Sequence, residues 1–507
     1  MDNREEQEVS KNSVSEQPKE QKQVQPTENQ VTDLKSAPSS ESTEANSAIP
    51  EEYLTDEDLY PETPAEDGAS RGIMKKKPLI LLIVGGVLGF ILILFVLTRI
   101  FYNGDGKVTE EKKILRFWGL WQKESVMEEL TREFQKQNPN IEIQYTLMDA
   151  QDNYRSRVIE RTNNNDGPDL YRFHNTWVPM LKKYLAPAPE TVFTPDEFKD
   201  IYYSVVSEDL VVDEQILGVP YHLDGLVLVY NEDILKKAGV KGPPTTWEEL
   251  ITVAQQITVK DTAGNLETAG IALGTAENIS HFSDILGLMF LQNGVNLKDI
   301  GNDLNAQTVI DTYTQLALGE NRVWGDELEN SLTAFANGKV AMIFIPTWRI
   351  ENLRHLNPDI SLKVASVPQI RGGQKTNIAN YWVDGVSKGS KHQKEAWEFL
   401  KFISQKDNQA RLYELDVDSG RLYGNPYARR NMANLLLDNE ILAPLIKDAP
   451  ILSSLPLISY TYDDGLNDES VGYLKDAINS ILMNDSPASA LRVLSKGLEQ
   501  VFEKYGY

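Results

Sequence analysis

The sequence predicts an α/β protein built on a parallel sheet, behind a disordered tail and one transmembrane helix. Three observations predict it. Residues Ile114 to Tyr145 read strand, helix, strand, and that order favours a parallel sheet. Leu79 to Thr98 is a 20-residue run without a charge. Residues 1–72 are rich in Glu, Gln, Ser, Pro and Asn, a composition that does not form a core.

The tail comes first. Residues 1–72 carry 18 acidic against 6 basic side chains, and their first aromatic is Tyr53. So little apolar surface cannot offset the entropy of ordering the chain. Residues 1–74 are therefore expected to be a disordered, acidic, cytoplasmic segment. The run LILLIVGGVLGFILILFVLT follows, and 20 helical residues at about 1.5 Å each span about 30 Å, the hydrocarbon thickness of a bilayer. Lys75, Lys76 and Lys77 precede it and favour an inside N-terminus. The span is taken as 75–101 and a linker as 102–111. The expected location is the cell membrane, single-pass, with the globular part extracellular or periplasmic.

The globular part begins near residue 112. Ile114 to Trp118 is an apolar strand, and Glu124 to Gln137 puts Val126, Met127, Leu130 and Phe134 on one helical face. Asn138-Pro139 stops that helix, and Ile141 to Tyr145 alternates as a second strand. Thr246-Trp247-Glu248-Glu249 reads as a capping box, and Glu395 to Ser404 as an amphipathic helix.

Composition excludes several functions. The 507 residues carry a net charge of −25, which opposes nucleic-acid binding. There is no cysteine, hence no disulfide, thiolate metal site or cysteine nucleophile. Gly385-Val386-Ser387-Lys388-Gly389 fits the GxSxG of serine hydrolases, but the only later histidine is His392, too near to complete a triad. The five histidines show no metal-binding spacing, so no metal and no cofactor are expected.

Four stretches together resemble the family 1 extracellular solute-binding proteins, the sugar-binding components of ABC importers. They are ILRFWGLWQKESVMEELTREFQKQNPNIEIQY from Ile114, DGPDLYRFHNTW from Asp166, ILGVPYHLDGLVLVYNEDILKKAGVKGPPTTWEEL from Ile216, and FANGKVAMIFIPTW from Phe335. The resemblance spans residues 112–507 and implies a two-lobed, periplasmic-binding-protein-like clamp of type II. It places crossings between lobes near 223, 367 and 406. Lobe one would hold 112–222 and 368–405, and lobe two 224–366 and 407–507. It implies a binding protein, not an enzyme, with a sugar or oligosaccharide as solute and ABC permease subunits as partners. A ligand-sensing ectodomain is the alternative, and a glycan-acting surface enzyme a more distant one.

Sugars present an apolar C–H face and a rim of hydroxyls, so aromatic rings and polar side chains should line the cleft. The resemblance points to Trp121, Trp177, Trp348 and Trp382 as stacking rings, with Tyr381, Tyr460 and Tyr462 beside them. Gln122 and Lys123 follow the first strand, His174 and Asn175 follow the GPD strand, and Asp224 lies just beyond the first crossing. Trp247 and Trp397, on helices, are expected in the core.

Overall fold

A computed structural model of the chain describes residues 112–151 and 153–507. The expected tail, transmembrane run and linker lie outside the described residues. Among the described residues, no helix is long and apolar enough to cross a membrane.

The elements that frame the site are, in chain order, β1 (Lys113–Gly119), α1 (Glu124–Gln137), β2 (Ile141–Leu147), α2 (Tyr154–Asn163), β3 (Leu170–His174), β4 (Leu185–Ala186), β5 (Val219–Pro220), β6 (Leu226–Asn231), α3 (Trp247–Ile257), β7 (Met342–Pro346), α4 (Arg349–Leu356), β8 (Leu362–Ala365), β9 (Trp382–Ser387), α5 (Gln393–Ile403), α6 (Lys406–Asp418) and α7 (Leu466–Leu482). β1 alternates, with Leu115 and Phe117 buried, and the Phe117 ring packs against Tyr145 of β2 and Phe399 of α5. The helix closes where the Asn138 amide donates to Phe134 O at 3.0 Å, and the chain returns as β2 in parallel register, Lys113 facing Ile141. Thr246 Oγ1 accepts from Glu249 N at 3.3 Å and caps α3. The Glu249 carboxylate reaches back to Thr245 N, at 2.9 Å, one residue before the cap.

Two sheets result. The first runs β2-β1-β3-β9-β4, with β5 also on β9. β1, β2 and β3 are parallel, and β9 enters antiparallel between β3 and its edge partners. β3 and β9 are buried along their whole length, as strands covered on both faces must be. The second sheet places β6 between β7 and β8, all antiparallel. The chain passes from the first sheet to the second between Pro220 and Leu226 and returns between Ala365 and Trp382.

The third crossing, expected near residue 406, falls later. On α6, Leu412 and Leu415 pack with Val126, Leu130 and Tyr221, and Arg411 pairs with Glu129 of α1. The apolar face of α6 thus belongs to the first lobe, and the chain leaves that lobe only after Asp418. Trp247 and Trp397 are both buried in the main hydrophobic core, their ring N–H groups donating to Gln292 Oε1 at 2.6 Å and Ala186 O at 3.1 Å.

Candidate functional site

The ends of β1 and β9, the start of α4, and two loops (421–425 and 459–462) converge on a cavity of about 400 Å3. That size is ordinary for a small-molecule site. The first lobe contributes Trp121, Gln122, Asn380 and Trp382, and the second contributes Trp348, Arg349, Asn352, His355, Tyr460 and Tyr462. Tyr221 and His222, at the crossing, line it too.

The aromatic wall of the first lobe is layered. Trp382 opens β9 and packs edge-on against Trp121, Trp177 and His174, with centroids 5.5, 5.5 and 5.1 Å away. Trp121 forms the outer layer at 51% exposed, and Trp382 is 8% exposed. Opposite, Tyr462 lies 6.2 Å from Trp121 and Tyr460 lies 6.2 Å from Tyr462. Rings from both lobes therefore face one space.

Three of these rings ride on left-handed backbone. Trp121 has φ 67°, Tyr460 φ 61° and Tyr462 φ 54°. Such conformations cost a bulky residue roughly 1–3 kcal/mol each and persist where function needs the side chain so aimed. At Trp121 the turn is held by Gln122 N donating to Leu120 O at 2.8 Å, and by Arg172 Nη1 donating to the same oxygen at 2.9 Å. Arg172 is fully buried and forms a two-point ion pair with Asp384, at 2.7 and 3.0 Å, while its guanidinium lies 3.5 Å over the Tyr221 ring. At the other wall, Arg155 of α2 donates to the backbone oxygens of Asp463 and Asp464, at 2.5 and 3.1 Å, which ties the tyrosine loop to the first lobe.

The polar rim mixes satisfied and open groups. Arg421 faces Glu351 at 3.6 Å and Asp416 at 3.5 Å. Gln122 donates to Asp416 at 2.7 Å and accepts from the Tyr221 hydroxyl. Asn380 Oδ1 meets His174 Nε2 at 3.1 Å. Burial lowers the His174 pKa to about 4 and that of His222 well below the usual range, so both imidazoles are neutral near pH 7. His222 Nδ1 is buried, with no hydrogen-bond partner among the described residues.

The structure separates the residues expected at the site. Trp121, Gln122, Trp348, Trp382, Tyr460 and Tyr462 line the cavity. Lys123, His174, Asn175, Trp177, Asp224 and Tyr381 are not among its lining. Lys123 donates outward to Ser419 O at 2.7 Å. Trp177 and His174 are completely buried behind Trp382. Tyr381 donates to Asp209 at 2.6 Å, and Asn175 donates to Asp209 and to Ser454 of the second lobe. Asp224 is 1% exposed and accepts from Gly225 N, Thr347 N, Thr347 Oγ1 and Trp348 N. Its carboxylate fixes the start of α4, and so the cleft wall, rather than facing the cleft.

Lining residues absent from the sequence expectation include His222, Arg349, Asn352, His355 and Asn380. A signal for two of them was present. Asn352 and His355 follow the expected Trp348 at i+4 and i+7, on one face of a helix. The GxSxG serine lies elsewhere: Ser387 Oγ is buried 3.4 Å from Thr162 Oγ1.

Residues 129–429, more than half of the chain, match the family described as bacterial extracellular solute-binding protein. A Brucella abortus protein assigned as a binding protein is 25% identical over 383 residues, 73% of this chain and 90% of its own length. The multiple sugar-binding protein of Streptococcus mutans is 22% identical over 384 residues, 71% of this chain and 86% of its own. The fold is similar to that of the sugar-binding protein MalE from Xanthomonas citri, with a TM-score of 0.64 and 20% identity, covering 77% of this chain and 98% of that one.

Proposed function

Because this chain belongs to the bacterial extracellular solute-binding protein family, we propose that it captures a carbohydrate between its two lobes and hands it to an ABC importer. The observation that carries the reading is the cavity itself. Ring faces from both lobes (Trp121 and Trp382 on one, Trp348, Tyr460 and Tyr462 on the other) alternate with the hydrogen-bonding side chains of Asn352, Asn380 and His222. A sugar matches that alternation, since its C–H face stacks on rings while its hydroxyls meet amides and imidazoles. The Streptococcus mutans and Xanthomonas citri relatives, both sugar-binding by name, support the same solute class.

Solute held by both lobes favours a closed clamp, because only contacts to both distinguish closed from open. The three crossings supply a hinge that few backbone torsions need to absorb. The run Leu79–Thr98 acts as a membrane tether in this reading and keeps the clamp at high effective concentration near its permease. Protease added to intact cells then removes residues 102–507 and spares 1–74, and the reverse pattern refutes that topology.

A thermal-shift screen over saccharides, polyols and amino acids tests the solute class. A solute at 100 Kd stabilises the folded state by about 2.7 kcal/mol, a readily measured shift. A response to amino acids with none to any saccharide would overturn the carbohydrate reading.

A further inference from the structure

Among the described residues, one cation in the cleft has no counter-ion. Arg349, the first residue of α4, lines the cavity half-buried, and among the described residues no carboxylate pairs with it. Arg421, across the same cavity, is bracketed by two carboxylates. The contrast is sharper in a chain of net charge −25, where anionic partners are plentiful.

The geometry leaves one part of Arg349 free. Its guanidinium carbon lies 4.2 Å from the Trp348 ring centre and 4.3 Å from that of Tyr460, so aromatic rings occupy its surroundings. Nε donates to His281 Nε2 at 3.4 Å, and no acceptor among the described residues takes the two terminal nitrogens. The buried Asp284 stands one layer back, 3.5 Å from His281 Nδ1, with the imidazole between it and Arg349. Desolvation lowers the pKa of Arg349, as expected for a cation losing water without an ion pair. His222 Nδ1, buried on the same cavity with no hydrogen-bond partner among the described residues, is a second unfilled hydrogen-bonding position.

A guanidinium with both terminal nitrogens open is shaped to receive two oxygens of one planar or tetrahedral anion. We infer that the solute of this cleft is an acidic carbohydrate, whose carboxylate or phosphate is received by the terminal nitrogens of Arg349. The inference rests on the carbohydrate reading above and narrows it to sugars bearing an anionic group.

The test is calorimetry on the full chain in a detergent without a sugar headgroup, using pairs that differ in charge: glucuronate against glucose, digalacturonate against galactobiose, and glucose 6-phosphate against glucose. The wild type is expected to bind one anionic member at least about tenfold tighter than its neutral partner. A carboxylate winner identifies a uronic acid, and a phosphate winner a sugar phosphate. Arg349→Gln should reduce the preference to near unity while still binding the neutral sugar, which shows that the cleft is intact, and Arg349→Lys should restore part of it. Neutral sugars binding as tightly as their anionic partners, or a preference that survives Arg349→Gln, overturns the inference and leaves the carbohydrate reading standing. Binding of no member of the panel overturns both.

Discussion

Replacing Trp121 by glycine separates a functional ring from a structural one. The residue sits at φ 67°, a region that costs an L-residue roughly 1–2 kcal/mol and costs glycine nothing. Against that relief stand the extra chain entropy of glycine, about 0.5–1 kcal/mol, and the lost edge contact to Trp382, about 0.5–1.5 kcal/mol. Half of the ring is already in solvent, so little buried area is lost. These terms nearly cancel, and the folded state should change by no more than about 1 kcal/mol. Solute affinity should behave differently, because the ring is the outer stacking face of the first lobe. A loss of about 1–3 kcal/mol, roughly 5- to 150-fold in Kd, is expected. Urea denaturation and calorimetry on the same preparations measure both quantities. Unchanged affinity, or a stability loss beyond about 2 kcal/mol, would show that Trp121 serves the fold and would refute the argument.

On the opposite wall, Trp348→Ala should cost about 1–3 kcal/mol of solute binding by calorimetry while circular dichroism stays native. Asp384→Ala leaves the Arg172 guanidinium buried without its partner and should destabilise the fold by about 3–5 kcal/mol in urea, far more than an exposed ion pair would. Asp224 gives a pH dependence. Burial raises its pKa from 3.8 to about 6, so the folded state holds a proton that the unfolded state has released between those values. Its contribution is present below about pH 4 and fades as pH rises through 6, with a slope of at most about 1.4 kcal/mol per pH unit. Asp224→Asn should flatten the stability profile over that interval, and an unchanged profile refutes the assignment.

The first strand, helix and strand were legible because the periods of Leu115, Phe117 and the α1 face are local signals that the core then uses. Placement of α6 was not legible. Leu412 and Leu415 announce a buried face, but nothing local says which lobe it meets. The site divides for a related reason. Sequence can place a tryptophan at a strand end, but the turn that follows decides where its ring goes. Trp177 closes a 3-10 turn and points inward, whereas Trp121 takes a left-handed turn and points into the cleft. Asp224 was expected at the cleft as a carboxylate, but three backbone N–H groups and a hydroxyl use it instead. Arg349 went unnoticed beside Trp348, because an arginine opening a helix is unremarkable until its missing counter-ion is seen.

The central claim is that solute is held by both lobes at once and that this closes them. Small-angle scattering of residues 102–507, with and without a saturating solute taken from the thermal-shift screen, tests it most directly. The account predicts a smaller radius of gyration with solute in the wild type and no change in a Trp121→Gly, Trp348→Ala double variant at the same concentration. An unchanged wild-type radius at proven saturation would contradict the clamp and describe a rigid binder instead.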